Sequence, residues 1–380
     1  MKRTISALIA LLMLAFCCAA PGEVAASGNH ALYLDESGAV WAWGANHRRE
    51  SVPWSEDYMQ LTPEKVFEGA RQIACGRQFS LVLDTDGNVW LWGDNSDGKL
   101  IDAGAVISEK TLFSQNVKQI AADDKGCALL FDDGSVSWFD GENVNEYSVN
   151  ATEVACGTDF VLMLTEGGEA LFAGNGYYVG QSERVSEPVS IMSGIKSVAA
   201  GGQTAMLIPE DGALCVMGAS GYEGRLGLDT AAWISEPAPN GVQDALRGIG
   251  GLSANGAITR DGTLYLWGSV YSLFSTFTED GIPFYVSAEV TLINYGKTPM
   301  PVYMNVNSCA IGDAFIVAEM DDGTLLSWGT NDWGQAGDGT YTVFTMSQEE
   351  DDDGEEEFDI SVSDNRQHVF PVQIILGGTD

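Results

Sequence analysis

This chain is predicted to be all-β, a seven-bladed β-propeller, and three observations predict it. A turn made of an acidic residue, serine or glycine followed by glycine, set between two short apolar runs, occurs seven times. The interval between those turns stays near the length of one small sheet, and a second mark, a small or turn residue, precedes each turn by a fixed distance. Apolar stripes of helical period are hard to find outside the N-terminus, so short strands and turns must account for most of the 380 residues.

The turn copies read "LDESGAVWAWG" (34–44), "LDTDGNVWLWG" (83–93), "LFDDGSVSWFD" (130–140), "LTEGGEALFAG" (164–174), "IPEDGALCVMG" (208–218), "ITRDGTLYLWG" (258–268) and "EMDDGTLLSWG" (319–329). Their turn glycines are Gly38, Gly87, Gly134, Gly168, Gly212, Gly262 and Gly323, each followed six residues later by another Gly except at Asp140. Glycine takes a positive φ cheaply, which makes such a turn between apolar runs a hairpin signal. Runs such as "VWLW" and "AWAW" alternate, as strands do when one face meets a neighbouring sheet. The second copy could also be read as a calcium loop, but that needs oxygen ligands at alternating positions and a Glu at the twelfth, where "DTDGNVWLWGDN" has Trp and Leu instead.

Eleven residues before each turn Gly stand Ser27, Gly76, Asp123, Gly157, Gly201, Gly251 and Gly312. Several of these marks are preceded by a Pro-led strand: "PEKVFEG" (63–69), "PVSIMSG" (188–194) and "PVYMN" (301–305). The turn glycines lie 49, 47, 34, 44, 50 and 61 residues apart, periods of a propeller-type array whose units bury their faces against neighbours. The third unit (123–155) is short, and one of its strands is expected to be missing. "PVQIILGGTD" (371–380) is a Pro-led strand with no repeat after it, whereas "GEVAASGNHALYLDESG" (22–38) is a repeat without one. The ring is therefore expected to close by pairing of N- and C-terminal strands, which removes two exposed sheet edges.

The pattern V-A-A-G-G…L…D-G-x-V-x-x-W-G-x-N…G-Q-x-G resembles the repeat of the regulator of chromosome condensation family, a seven-bladed β-propeller. "DDGTLLSWGTNDWGQAGDGT" (321–340) follows it best, with "GASGYEGRLGLDT" (218–230) and "WGDNSDGKL" (92–100) behind, and His30 sits where that family often has His. The resemblance covers 21–380 and implies the fold. The family's exchange-factor activity on a small GTPase, and its docking on chromatin, rest on loops that the repeat match does not cover. Within the fold, this sequence is similar in architecture, export and acidity to a bacterial secreted type that inhibits β-lactamase through aromatic loops on one face.

Residues 1–20 read as a signal peptide: Lys2 and Arg3 precede "ISALIALLMLAF" (5–16), an apolar run too short to span a bilayer. "CAA" (18–20) and "VAA" (24–26) are both small-residue cleavage sites; the repeat claims Val24 to Ala26 for a blade, so cleavage nearer residue 20 fits better. "LAFC" resembles a lipobox, although Phe16 stands where that box wants a small residue, so Cys17 or Cys18 is the one route to a membrane anchor. Residues 21–380 then form a single propeller domain, extracellular or at the cell surface, with an acidic loop insert at about 346–366.

The formal net charge is −36, and removing Lys2 and Arg3 makes it more negative still. Such a field disfavours nucleic acid and anionic lipid, which need clustered Lys and Arg, and suits a solvated surface or a basic partner. The run "EEDDDGEEEFD" (349–359) is expected to be a solvated loop. Past residue 20 the cysteines are Cys75, Cys127, Cys156, Cys215 and Cys309, an odd number without a C-x-x-C pair. Cys75 and Cys156 occupy equivalent small-residue positions and read as buried packing.

No catalytic residue, metal site or cofactor is expected. The histidines are His30, His47 and His368, with no Cys or His at ligand spacing, and most acids sit where Asp serves turn chemistry. Aromatics that the repeat does not demand stand in "SVPWSEDYMQ" (51–60), "NGYYVGQ" (175–181), "AAWISEP" (231–237) and "SVYSLFSTF" (269–277). Trp54, Tyr58, Tyr177, Tyr178, Trp233, Tyr271 and Phe274 are therefore the candidate partner-binding residues, while Trp41, Trp43, Trp90, Trp92, Trp267 and Trp328 belong to the repeat and read as structural. The function expected is that of a monomeric, non-enzymatic propeller that binds a partner protein through loops on one face of the ring. The alternatives are a carbohydrate-binding surface module and a hydrolase using paired carboxylates.

Overall fold

Every turn glycine joins the two middle strands of a four-stranded antiparallel sheet. The computed structural model describes residues 22–95, 100–101, 104–221, 224–252, 254–277, 283–350, 356–364 and 368–377. Blade one is β1 (Glu23–Ser27), β2 (His30–Leu34), β3 (Val40–Ala45) and β4 (Met59–Phe67). Blade two is β5 (Ala70–Cys75), β6 (Phe79–Asp84), β7 (Val89–Asp94) and β8 (Val106–Ser114). Blade three is β9 (Val117–Asp123), β10 (Gly126–Phe131), β11 (Ser135–Phe139) and β12 (Val144–Ser148). Blade four is β13 (Ala151–Gly157), β14 (Phe160–Thr165), β15 (Glu169–Gly174) and β16 (Val185–Ser193). Blade five is β17 (Ile195–Gly201), β18 (Thr204–Pro209), β19 (Ala213–Ala219) and β20 (Trp233–Gln243). Blade six is β21 (Ala245–Ile249), β22 (Ala254–Thr259), β23 (Leu264–Phe277) and β24 (Pro283–Tyr303). Blade seven is β25 (Val306–Ile311), β26 (Phe315–Met320), β27 (Leu325–Gly329) and, after the separate hairpin β28 (Val343–Glu350) and β29 (Glu356–Asp364), β30 (His368–Ile374).

The turns form as the residue pattern requires. All seven turn glycines have φ between 74° and 105°. Asp35 and Asp84 fix their turns by accepting, on one carboxylate oxygen, the backbone N–H groups of Ser37 and Ala39 and of Asp86 and Asn88. Their other oxygens accept the indole N–H of Trp41 and Trp90, each at 2.9 Å. Asp in the repeat thus serves the turn and the outer Trp, and these bonds hold both carboxyls below their ordinary range against the opposing effect of partial burial.

The core lies between blades. Trp43, Trp92 and Trp267 are fully buried in apolar clusters that bridge neighbouring sheets. Each indole N–H donates to a backbone carbonyl in the last connection of the preceding blade: Trp92 to Glu50 at 3.0 Å, Trp267 to Arg225 at 2.7 Å, and Trp43 to Gln335 at 2.9 Å. Buried indole nitrogens need a partner. The loop segment of one repeat therefore caps the tryptophan of the next.

Three expectations change. The terminal strands do not pair: β1 pairs with β2, and β30 pairs with β27. The Pro-led strands are the outer strands of the blade before, not of the blade after, so each blade is complete within one stretch of chain. The ring closes by packing Val24, Ala31, Tyr33 and Trp43 of blade one against Ala310, Phe315, Val317 and Leu325 of blade seven. Tyr33 donates to Glu319 Oε1 at 2.9 Å, and Val24 N–H to Ser308 Oγ at 3.1 Å, across that seam.

Blade three lacks no strand. Its outer strand β12, "VNEYS", follows a tight turn at 140–143 and buries Tyr147 while leaving Val144 exposed, an alternation that needs no Pro to mark it. The acidic run is not simply a loop either. Glu349 and Glu350 lie opposite Glu357 and Glu356 in the ladder of β28 and β29; residues 351–355 of the run lie outside those described. All five cysteines from Cys75 onward are free thiols, and four are buried. Burial pushes the Cys127 thiol up to about 12.

Candidate functional site

In a four-stranded meander the first and third connections open at one end. All seven first connections, the marks read as small residues in the sequence, converge there on a cavity of about 90 Å³ at the centre of the ring. Its lining takes residues from every blade: Ser27, Arg77, Asp123 and Asp124, Thr158, Gln203, Gly251 and Leu252, and Ile311 to Asp313. Neighbouring turns approach closely enough to bond through their backbones. Arg77 N–H donates to Asp124 O at 2.7 Å, Thr158 N–H to Gly202 O at 2.9 Å, and Asp313 N–H to Gly28 O at 2.8 Å. At Gly28 a side chain would collide with the Arg77 carbonyl, and its φ is 55°, so glycine is required there.

The mouth is acidic. Asp123 stands where most blades carry glycine, and its Oδ2 accepts the Thr158 hydroxyl at 3.1 Å and Gly202 N–H at 3.0 Å, binding blade three to blades four and five. Burial pushes its carboxyl up to about 7 against the pull of the Thr158 hydroxyl, with the charges of Asp124 and Asp313 adding to the rise. Arg77 is the cation of the lining, 3.3 Å from Asp313 and 3.9 Å from Asp124. Burial raises Asp313 as well, with Arg77 pulling the other way.

The third connections surround this mouth and carry Trp54, Tyr58, Tyr177 and Tyr178, while Trp233 opens β20 directly after one of them. In blade one Trp54 is 50% exposed and Tyr58 72%. Trp54 donates its indole N–H to Glu64 at 3.2 Å, and the Lys110 ammonium stands 5.6 Å from its ring centre. In blade four Tyr177 is 64% exposed, on a 3-10 helix (Gly176–Val179) capped by the Asn175 side chain. Its neighbour Tyr178 is buried at 1% exposure, its ring tilted against those of Phe160 at 4.6 Å and Trp233 at 5.1 Å. Tyr178 is thus core, not a contact for a partner, and it holds the half-exposed Trp233 beside Tyr177. The structure therefore brings Tyr177 and Trp233 together at the border of blades four and five, and sets Trp54 and Tyr58 across the ring from them. Tyr271 and Phe274 lie within β23, not in a loop, and their side chains fall outside the described residues.

Sequence reasoning missed the seam of blades seven and one. There the His47 ring lies 4.6 Å from that of Trp333, and Tyr341 is 41% exposed. Burial lowers the His47 imidazole, with a bond to the Tyr58 backbone opposing. Trp333, in "NDWGQAG", was the available signal, because the other repeats place no Trp at that point of the connection.

His30 Nε2 lies 3.0 Å from Ser80 Oγ, a nucleophile–base contact in form. Both side chains are fully buried, Ser80 donates to the Glu50 carbonyl at 2.7 Å, and burial lowers the imidazole to about 3, so the pair anchors blade one to blade two. Among the described residues no group of three or more His, Cys, Asp or Glu is placed to hold a metal ion. No described helix is long and apolar enough to cross a membrane.

A sequence model described as the regulator of chromosome condensation (RCC1) repeat matches residues 23–49 and 70–99, the hairpins of blades one and two. Prp20p from Saccharomyces cerevisiae, whose structure was described with its binding to Gsp1p and histones, superposes with a TM-score of 0.66 at 18% identity, covering 89% of this chain and 86% of that one. Human WBSCR16 superposes at 0.65 and 19% identity, covering 89% and 94%. A complex of Kap60 with yeast RCC1 (Prp20) matches at 0.64 and 20% identity, covering 78% and 80%. At these identities the likeness speaks for the fold, and together with the seven repeats and seven four-stranded sheets it makes this chain an RCC1-like seven-bladed β-propeller.

Proposed function

We propose that this chain is a secreted or surface-attached, non-enzymatic propeller that captures a partner protein of basic character through the face holding the acidic mouth. The observation that carries this reading is a division among the aromatics. Trp43, Trp92 and Trp267 of the repeat are buried and bonded, whereas Trp54, Tyr58, Tyr177 and Trp233, which the repeat does not require, stand exposed on one face. Rigid aromatics on loops of a fixed scaffold supply large contact area at small entropic cost. Acidic residues at the mouth and the charge of −36 favour a basic partner. Export rests on the N-terminal pattern of residues 1–20.

The test is capture from culture-supernatant and cell-surface extracts by residues 21–380, compared with a variant carrying Trp54→Ala, Tyr58→Ala, Tyr177→Ala and Trp233→Ala. One protein held by the native chain and lost by the equally stable variant supports the reading. Equal capture by both overturns it, and retention of glycans in place of protein favours a carbohydrate-binding module. Fractionation of cells expressing the full chain, with and without residues 1–20, tests export separately.

A further inference from the structure

A belt of side chains runs around the axis of the ring. The first strand of each blade is its innermost, and these strands contact one another in order, with β25 meeting β1. Among the described residues each pairs with one strand only, so its inner edge carries backbone N–H and C=O groups that need other partners. Four residues before each small-residue mark stand Glu23, Gln72, Gln119, Glu153, Ser197, Arg247 and Ser308. Several of these side chains reach the inner edge of the next blade, each at the residue three before that blade's mark.

Gln72 holds blade three with both ends of its amide. Its Oε1 accepts Ile120 N–H at 2.9 Å, and its Nε2 donates to the Ile120 carbonyl at 3.0 Å. Gln119 does the same to Val154 of blade four, at 3.0 Å and 3.2 Å. Across the closing seam Ser308 caps Val24 N–H.

Glu23 occupies the same place between blades one and two. Ile73 N–H donates to it, and Ile73 sits in β5 as Ile120 sits in β9 and Val154 in β13, opposite Val82, Leu129 and Met163 respectively. A glutamine answers both backbone groups because its amide has an acceptor and a donor, whereas a carboxylate has acceptors only. A carboxylate here sets its second oxygen against a carbonyl, and the carboxylic acid supplies the missing donor. Facing the half-buried Glu23 are the Cys75 thiol of β5, itself raised by burial, and the exposed Arg247 of β21, whose charge attracts the ionised form. Burial pushes the Glu23 carboxyl up to about 7 against the pull of Arg247 and of Ile73 N–H. Glu153 stands at the equivalent place in blade four, where it accepts Val198 N–H and, at 2.8 Å, the Ser197 hydroxyl.

We propose that Glu23 is a two-position switch: as a carboxylic acid it bridges blades one and two by holding both backbone groups of Ile73, and on ionisation it leaves that edge for Arg247. The bridge is complete at mildly acidic pH and is lost as pH rises through about 7, the direction that a raised carboxyl requires. Its effect reaches the mouth, because Ser27 and Arg77, four and five residues beyond Glu23 and Gln72, line that cavity on the two blades that the bridge joins. The switch goes beyond the partner-binding reading and does not depend on it.

The test follows amide exchange of residues 21–380 at pH 6 and pH 8, expressed as protection factors that remove the intrinsic effect of pH. Ile73 N–H should lose about tenfold in protection, while Ile120 N–H, held by Gln72, keeps its own. Glu23→Gln should abolish the loss at Ile73, and Gln72→Glu should bring the same loss to Ile120. Arg247→Gln, which removes the attraction for the ionised form, should move the midpoint at Ile73 to higher pH. A carboxylic-acid infrared band that titrates with that midpoint, and is absent from Glu23→Gln, reads the proton itself. Constant protection at Ile73, an equal fall at Ile73 and Ile120, the same fall in Glu23→Gln, or a midpoint that ignores Arg247→Gln would each overturn the switch.

Discussion

The indole N–H of Trp43 donates to the carbonyl of Gln335, 292 positions further along the chain, at 2.9 Å. Trp43 to Gln335 is the same bond that Trp92 makes to Glu50 and Trp267 to Arg225, one blade back in each case. What joins consecutive blades therefore also joins the last to the first. Trp43→Phe keeps most of the ring in the cluster and leaves the Gln335 carbonyl only the longer bond from the Ser327 hydroxyl, 3.4 Å, so it should cost about 1–3 kcal/mol. Trp43→Ala, which also opens a cavity, should cost about 3–5 kcal/mol. The comparison is Trp41→Phe, at a half-exposed site bonded to Asp35, expected to cost less than about 1 kcal/mol. Urea unfolding of the three variants decides, and equal costs for the two Phe changes would remove the closing role of the bond.

Asp123 makes stability depend on pH. Its carboxyl is raised from 3.8 to about 7 by burial, so between those values the folded chain holds a proton that the unfolded chain has released. Its contribution is complete below pH 4 and is lost as pH rises through about 7. Glu23 and Glu50, each pushed up to about 7 by burial, act in the same sense. His30, lowered to about 3, acts in the opposite one, with its contribution lost as pH falls below 6.5. Asp123→Asn retains an acceptor for Thr158 and Gly202 without the titration. Unfolding free energies at pH 5 and pH 8 should show the native chain losing more than the Asn variant over that interval. An equal loss in both would mean that Asp123 is ionised throughout.

How much of this could be read from the residues differs by feature. The seven hairpins were legible because a turn glycine between two apolar runs takes a positive φ cheaply, and every one of those glycines has positive φ. Strand membership was harder. A Pro-led strand looks the same whether it ends one blade or begins the next, and strand pairing shows which, as in β4 with β3 and β30 with β27. The mouth was half legible: the small residues were visible, but the reason for them, contact between turns of different blades, is a property of the closed ring. Tyr177 and Tyr178 show the limit at its sharpest. Two adjacent tyrosines in one polar segment carry the same local signal, and the direction of a single 3-10 turn buries one and exposes the other.

Gly28 should be among the least replaceable glycines of the mouth. Gly28→Ala meets the Arg77 carbonyl and an unfavourable φ together, whereas Gly69→Ala, at φ 78°, meets no atom within 4 Å. The Gly69 change should cost about 1 kcal/mol, the conformational term alone. The Gly28 change should exceed it by about 1–3 kcal/mol, because backbone on both sides must move. Comparable losses in chemical denaturation would show that the turns of blades one and two are not in contact.

The pair Tyr177 and Tyr178 separates binding from stability within one turn. Tyr178 lies between Phe160 and Trp233 at 1% exposure, so Tyr178→Ala empties a packed site and should cost about 3–5 kcal/mol. It also removes the support under Trp233, and partner capture should fall with it. Tyr177, at 64% exposure, touches no core cluster, and Tyr177→Ala should leave stability within about 0.5 kcal/mol while weakening capture by about tenfold or more. Tyr178→Phe is the discriminating control: it retains the ring contacts with Phe160 and Trp233 and should preserve both properties. If Tyr177→Ala lowers stability as much as Tyr178→Ala, the exposed tyrosine is part of the fold. If it changes neither stability nor capture, the binding surface must be sought at the seam of His47, Trp333 and Tyr341.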